Sequence, residues 1–173
     1  MLTRNRFALK EWAGACERLA RGEHSVLLRK GGIRERRGGF EIDHPEFFLF
    51  PTGFHEKGEA PPDRVELSLY AEVAARREVA ELERLRRLDG LHALAWEAVE
   101  KRFHYGKQPG VQALLLRAWR LERAEVVENA RTHEGCVSWV DLGEERAVRP
   151  AAPALGEADF ARVRAGFEAA LDG

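Results

Sequence analysis

Asparagine, glutamine, methionine and cysteine together supply only seven of the 173 residues, a depletion of thermolabile side chains that resembles heat-adapted proteins and that a GC-rich genome would produce as well. Lysine is also scarce, 5 residues against 23 arginines, so any basic cluster has to be weighed against an arginine-rich background. The two cysteines, Cys16 and Cys136, cannot build a disulfide framework or any common structural zinc site by themselves. No segment approaches the roughly 20 apolar residues of a membrane span. The first residues, MLTRNRFALKEW, carry charge where a secretory signal needs an apolar core, which reads as a soluble, cytoplasmic protein. Walker and dinucleotide-binding glycine motifs are absent, as is a Gly-x-Ser-x-Gly nucleophile elbow. The chain also has no Asp/Glu-x-Lys triplet of the kind restriction-type nucleases need.

What remains is a globular composition. Hydrophobic residues make up 45% and charged residues 33%, with 28 Lys+Arg balanced by 29 Asp+Glu, which excludes a disordered chain and a globally basic binder. A domain of this length buries roughly 70% of its unfolded surface, enough for one core, so residues 1–173 read as a single domain.

Hydrophobic spacing supplies the elements. Ala8, Trp12, Ala15, Cys16 and Leu19 fall on one helical stripe, predicting a helix over residues 8–21 that stops at Gly22. Val26 to Leu28 reads as a strand leading into a loop with paired glycines on either side of a basic stretch, residues 31–39. Phe47 to Phe50, bounded by Pro45 and Pro51, reads as a strand at or near a sheet edge. Val65, Leu67, Leu69, Ala71 and Val73 alternate with polar residues and give the clearest strand of the chain. Helical periods follow over 75–88 and 91–103. Residues 111–121 fit either state and lean to strand, and 136–142 alternate as a strand. Residues 149–156 then link to a terminal helix over 157–171. The sum is an α+β domain with a small mixed or antiparallel sheet, curved toward a partial barrel, and about four helices.

In order along the chain, ALKEWA (8–13), LLRKGGIRE (27–35), FFLFPTGFH (47–55), YAEV (70–73), the helix holding His92 and Trp96, LLLRAWRL (114–121) and GCVSWVDL (135–142) resemble a bacterial family of uncharacterised proteins, the domain of unknown function family 1802. That resemblance implies no activity, so function is argued from the residues.

The best candidate is residues 29–37, where Arg29, Lys30, Arg34, Arg36 and Arg37 accompany glycines that let backbone N–H groups approach an anion. Residues 1–37 carry ten basic and four acidic groups, and residues 38–63 one basic and six acidic, so the charge is polarised although the total is not. Phe40, Phe47, Phe48, Phe50 and Phe54 are candidate stacking platforms of the kind single-stranded nucleic acid uses. The same features fit a solvated hairpin loop over an aromatic core. Glu41, Asp43, His44 and His55 follow, and carboxylates spaced along one strand face can hold Mg²⁺ beside a phosphate. His92 is a weaker acid–base candidate, and the cluster Arg102, His104, Tyr105 and Lys107 extends the basic surface if the fold brings it near Arg34. His133, Glu134 and Cys136 have the right atoms for zinc but no second paired set, so no metal site is assigned.

Three readings result. The leading one is a binding module for an anionic partner, RNA or DNA, through Arg29, Lys30, Arg34, Arg36 and Arg37. The second is a metal-dependent phosphoesterase or nuclease-like enzyme centred on Glu41, Asp43 and His44 or His55, with Mg²⁺ as its cofactor. The third is a structural or interaction protein whose exposed aromatic segment around Phe47 to Phe54 meets a partner or a second copy in a homo-oligomer.

Overall fold

A computed structural model describes residues 1–30, 40–53, 62–106, 108–129 and 137–172. Seven strands form one mixed sheet: β1 (Arg4–Trp12), β2 (Val26–Arg29), β3 (Glu46–Thr52), β4 (Arg64–Val79), β5 (Val111–Glu128), β6 (Trp139–Ala147) and β7 (Pro150–Pro153). Among the described residues four helices accompany it: α1 (Ala13–Ala20), α2 (Leu82–Arg86), α3 (Trp96–His104) and α4 (Glu157–Leu171). This is the single-domain α+β fold expected. The hydrogen-bonded path runs β2-β5-β4-β3-β1-β6, with β7 added beside β5, and does not close into a barrel. Only β1 and β3 run parallel, so both deliver their C-terminal ends, Trp12 and Thr52, to the same edge. Among the described residues no helix is long and apolar enough to cross a membrane.

The sheet is covered on both faces, which explains its sequence. Along β3, Phe47 and Leu49 enter the interior of the curve with Leu9, Leu27, Leu69, Leu114 and Leu116. Phe48 and Phe50 enter a second core with Ala8, Leu67, Tyr70 and Val140. Along β5, Ala113 and Leu115 face a third core capped by Leu85, Val99, Phe103 and Phe167 of α2, α3, α4 and their flanks. Strands buried on both faces read as continuous apolar runs rather than alternations, so 111–121 looks ambiguous until its pairing is seen.

Four boundaries depart from expectation, the first being that residues 150–153, inside the expected linker 149–156, pair with β5 as strand β7. Residues 8–12 are strand, because β1 pairs with β3 on one side and β6 on the other, and that double ladder overrides a weak helical stripe. Residues 75–79 continue β4, since β5 offers register partners from Leu115 to Val111, and the predicted long helix shrinks to α2. Residues 91–95 precede α3 as a turn, an isolated bridge at His92 and irregular chain, not as helix. The helix stop at Gly22 holds: its φ is +72°, its N–H donates to Leu19 O at 3.0 Å, and the chain reverses into β2. β3 lies inside the sheet, between β1 and β4, rather than at its edge.

Candidate functional site

The two ends of the sheet approach one another where β1, β2 and α3 meet. β2 ends the hydrogen-bonded path on one side and β1 lies next to last on the other, yet the Arg29 side chain spans between them. Its Nη1 donates to Lys10 O and to Glu11 Oε2, both at 3.0 Å, and its Nη2 donates to Ser138 Oγ at 2.8 Å just before β6. The guanidinium carbon lies 5.1 Å from the centre of the buried Phe40 ring. This pair is recessed, with side-chain exposures of 12% for Arg29 and 4% for Glu11, a depth at which an unmatched charge is strongly disfavoured.

Glu11 is held in turn by the local backbone. Its Oε1 accepts the Trp12 N–H at 2.9 Å, and its carbonyl accepts Thr52 Oγ1 from β3 at 3.2 Å. Cys16, buried one turn into α1, has its thiol pKa pushed up by desolvation, which makes it an inert apolar neighbour and not a nucleophile.

Arg102 completes the group. Its Nη1 donates to Leu28 O at 2.5 Å, and its guanidinium stacks 5.1 Å over the half-buried Trp12 ring. Burial pulls its pKa below the ordinary value, and the neighbouring Arg29 adds to the effect while Glu11 opposes it. Among the described residues it has no carboxylate partner. Lys30 follows Arg29 and turns the other way: its Nζ donates to Phe103 O, Gln108 O and Gly110 O at 3.1, 2.5 and 2.6 Å, and desolvation lowers its pKa. It therefore closes the C-terminal end of α3 and the turn into β5.

The other predicted residues are placed as follows. Arg34, Arg36, Arg37, Phe54 and His55 lie outside the described residues, as do His133, Glu134, Cys136 and Lys107. Glu41 and Asp43 are exposed in irregular chain ahead of β3, so they do not share a strand face; Pro45 precedes the first ladder residue. His44 stacks on Phe7 with ring centres 3.6 Å apart and meets Trp139 edge-on at 5.1 Å, and burial lowers its pKa against the pull of Asp43 and Asp141. Among the described residues no three His, Cys, Asp or Glu side chains gather as a metal-ligand set. Phe40, Phe47, Phe48 and Phe50 are buried, so these four are core side chains rather than a stacking or docking surface. His92 is buried beside β2, as a core histidine.

The basic run and the Arg102 cluster were legible as candidates. Glu11, Trp12 and Ser138 as their partners were not, and the one local signal is a carboxylate placed two residues after the fully buried Leu9 on a strand.

A family model described as "Domain of unknown function (DUF1802)" matches residues 8–166. The chain belongs to that family. No curated protein matches it. Two solved structures resemble this DUF1802 domain: a single-residue variant of the ASCH protein of Zymomonas mobilis, at a TM-score of 0.50 and 12% identity over 95% of this chain and 98% of that one, and the same organism's ASCH protein, at 0.49 and 12% over 92% and 93%. At that identity the likeness speaks to the fold alone.

Proposed function

We propose that this DUF1802 protein is a cytoplasmic binding module for an anionic partner, RNA or DNA, whose backbone it meets where β1, β2 and α3 converge. The observation that carries the reading is a charge imbalance in a recessed place: Arg29 and Arg102 share the field of one carboxylate among the described residues, Glu11, while Lys30 beside them is turned to the end of α3. Arg102 commits one N–H to a carbonyl and sits half-buried without a carboxylate partner among the described residues. A desolvated guanidinium left in that state favours an incoming anion, and its planar set of donors suits phosphate oxygens.

Arg29 and Lys30 are engaged with the protein itself, so their role is to fix the edge and supply positive potential. The direct phosphate contacts fall to Arg102 and to Arg34, Arg36 and Arg37, which follow Lys30 closely in sequence. Trp12, half-buried beside Arg102, is the aromatic side chain suited to stack on a base.

The test is binding of nuclease-free, high-salt-washed protein to mixed-sequence single- and double-stranded RNA and DNA from about 50 to 200 mM salt, a range over which multi-phosphate contact loses orders of magnitude in affinity. Steep salt dependence, weakened further by replacing Arg34, Arg36 and Arg37 with Glu, is the expected outcome. No binding at the lowest salt would overturn the reading.

A further inference from the structure

Two buried histidines meet at the root of both cation-bearing elements. His24 and His92 are 2% and 6% exposed, and each leaves one ring nitrogen without a hydrogen bond among the described residues: Nδ1 of His24 and Nε2 of His92. His24 Nε2 donates to Ala15 O at 2.9 Å, so its neutral ring keeps a bare lone pair at Nδ1. His92 Nδ1 accepts the Leu94 N–H at 3.2 Å, so its neutral ring carries the proton at Nε2. Between them runs the junction that starts β2: Ser25 and Val26 both donate their N–H to Leu91 O, at 3.3 and 3.0 Å, and His92 bridges Val26. From this joint β2 leads to Arg29 and Lys30, and residues 92–95 lead into α3 and Arg102.

Neither ring accommodates a second proton. On His24 it would sit at Nδ1, which is buried and makes no hydrogen bond among the described residues; the nearby Val26 backbone favours it less than burial opposes it. On His92 it would sit at Nδ1, where an N–H would face the Leu94 N–H, donor against donor. The charged groups around the joint are mixed. Arg18 of α1 opposes a new positive charge on His24, and Arg102 of α3 and His24 oppose one on His92, whereas Glu11 favours the first and Asp89 the second. Burial outweighs the carboxylates, and both rings are held below the ordinary histidine range.

We propose that His24 and His92 form a proton-sensitive joint that opens the Leu91 junction in mild acid and thereby weakens the anion site. This rests on the binding role proposed above for Arg102 and its neighbours. The sign distinguishes it from ordinary electrostatics: added positive charge strengthens attraction to phosphate as pH falls, whereas an opened joint displaces the cations and weakens binding.

The test uses the full chain with a mixed-sequence single-stranded RNA of about 20 nucleotides at fixed salt, between about pH 7.5 and pH 5.5, with far-UV circular dichroism in parallel. The Kd is expected to rise on the order of ten-fold in acid, the equivalent of one pKa unit of coupling, with the fold retained. Hydrogen exchange, corrected for its chemical pH dependence, should accelerate in peptides covering residues 24–28 and 91–95. His24→Gln keeps a donor for Ala15 O and His92→Asn keeps an acceptor for the Leu94 N–H. The double variant should bind as the parent does at neutral pH and lose the acid effect. A Kd that holds steady or falls in acid, or an acid loss that persists in the double variant, would overturn the joint and leave the binding module standing. If RNA binds at no pH, the binding module fails, and exchange decides alone: acid opening at those two peptides in the parent only supports the joint, and pH-invariant protection overturns it.

Discussion

Lys30 and Arg102 tie β2 to α3 in opposite directions. Arg102, on α3, donates to Leu28 O in β2 at 2.5 Å, and Lys30, at the end of β2, donates to Phe103 O in the last turn of α3 at 3.1 Å. Each cation satisfies a carbonyl of the other's element, so the edge carrying the basic run is fixed by the residues that make it basic. A short strand of four residues gains from this a second anchor besides its ladder with β5.

Lys30→Met should therefore lower stability, by about 2 kcal/mol, because three carbonyl acceptors lose a charged donor. Urea denaturation of the two proteins measures the difference. If Lys30 served only as a phosphate contact, the variant would keep its unfolding midpoint and lose affinity alone.

The Glu11–Arg29 pair makes a sharper prediction. Glu11→Ala strands Arg29 in a recessed position and should destabilise by about 3–5 kcal/mol, whereas the double change Glu11→Ala with Arg29→Met should cost much less than the sum of the two single ones. A double-mutant cycle in chemical denaturation checks it, and additive costs would mean that the pair is not coupled. Where Glu11→Gln retains the fold, removal of the one carboxylate the group has among the described residues should tighten nucleic-acid binding at low salt.

How much of this was visible in the sequence differs by element. The alternation from Val65 to Val73 identified β4 because one of its faces there is partly polar, and the apolar positions at Val79, Leu85 and Leu88 do face one core. β1 was misread because Ala8 and Leu9 are both fully buried, on opposite faces, and that pattern mimics a helical stripe when the pairing strands are unknown. At the site, Arg29 and Lys30 stood out as cations, but what they do depends on partners far along the chain. Ser138 lies 109 residues from Arg29, and Phe103 lies 73 from Lys30. No local pattern encodes such pairings, which arise only when the sheet curves and brings its ends together.

Gly22→Ala should destabilise through two effects at once. The left-handed φ of +72° is strained for any residue with a Cβ, and that Cβ would sit 2.6 Å from Ala154 O, a backbone atom that cannot swing aside. A loss of at least about 1–2 kcal/mol is expected from the backbone conformation alone, read as a lower thermal midpoint. Gly90→Ala is the control, because its φ of +80° is equally strained but its added methyl meets nothing within 4 Å. Equal losses in the two variants would show that the Ala154 contact contributes nothing.

The buried histidines set the acid side of the stability curve. Both folded-state values lie below the ordinary value of about 6.5, chiefly through desolvation, so the unfolded chain binds more protons than the folded one once pH falls below that value. Stability from the neutral rings is complete above about pH 6.5 and is lost progressively as the pH drops through the interval down to the folded-state values. Urea midpoints at steps from about pH 7.5 to 5 should fall with acid, and His24→Gln with His92→Asn should remove most of that slope, the remainder coming from His44, whose pKa burial also lowers, and from carboxylates at lower pH. A parent curve that is flat across this window, or a slope unchanged in the double variant, would mean that neither histidine resists protonation in the folded state. Most of the slope belongs to these two rings because His24 Nδ1 and His92 Nε2 are buried without partners among the described residues, whereas His44 is only half-buried, and burial of the ring is what the unfolded chain does not share.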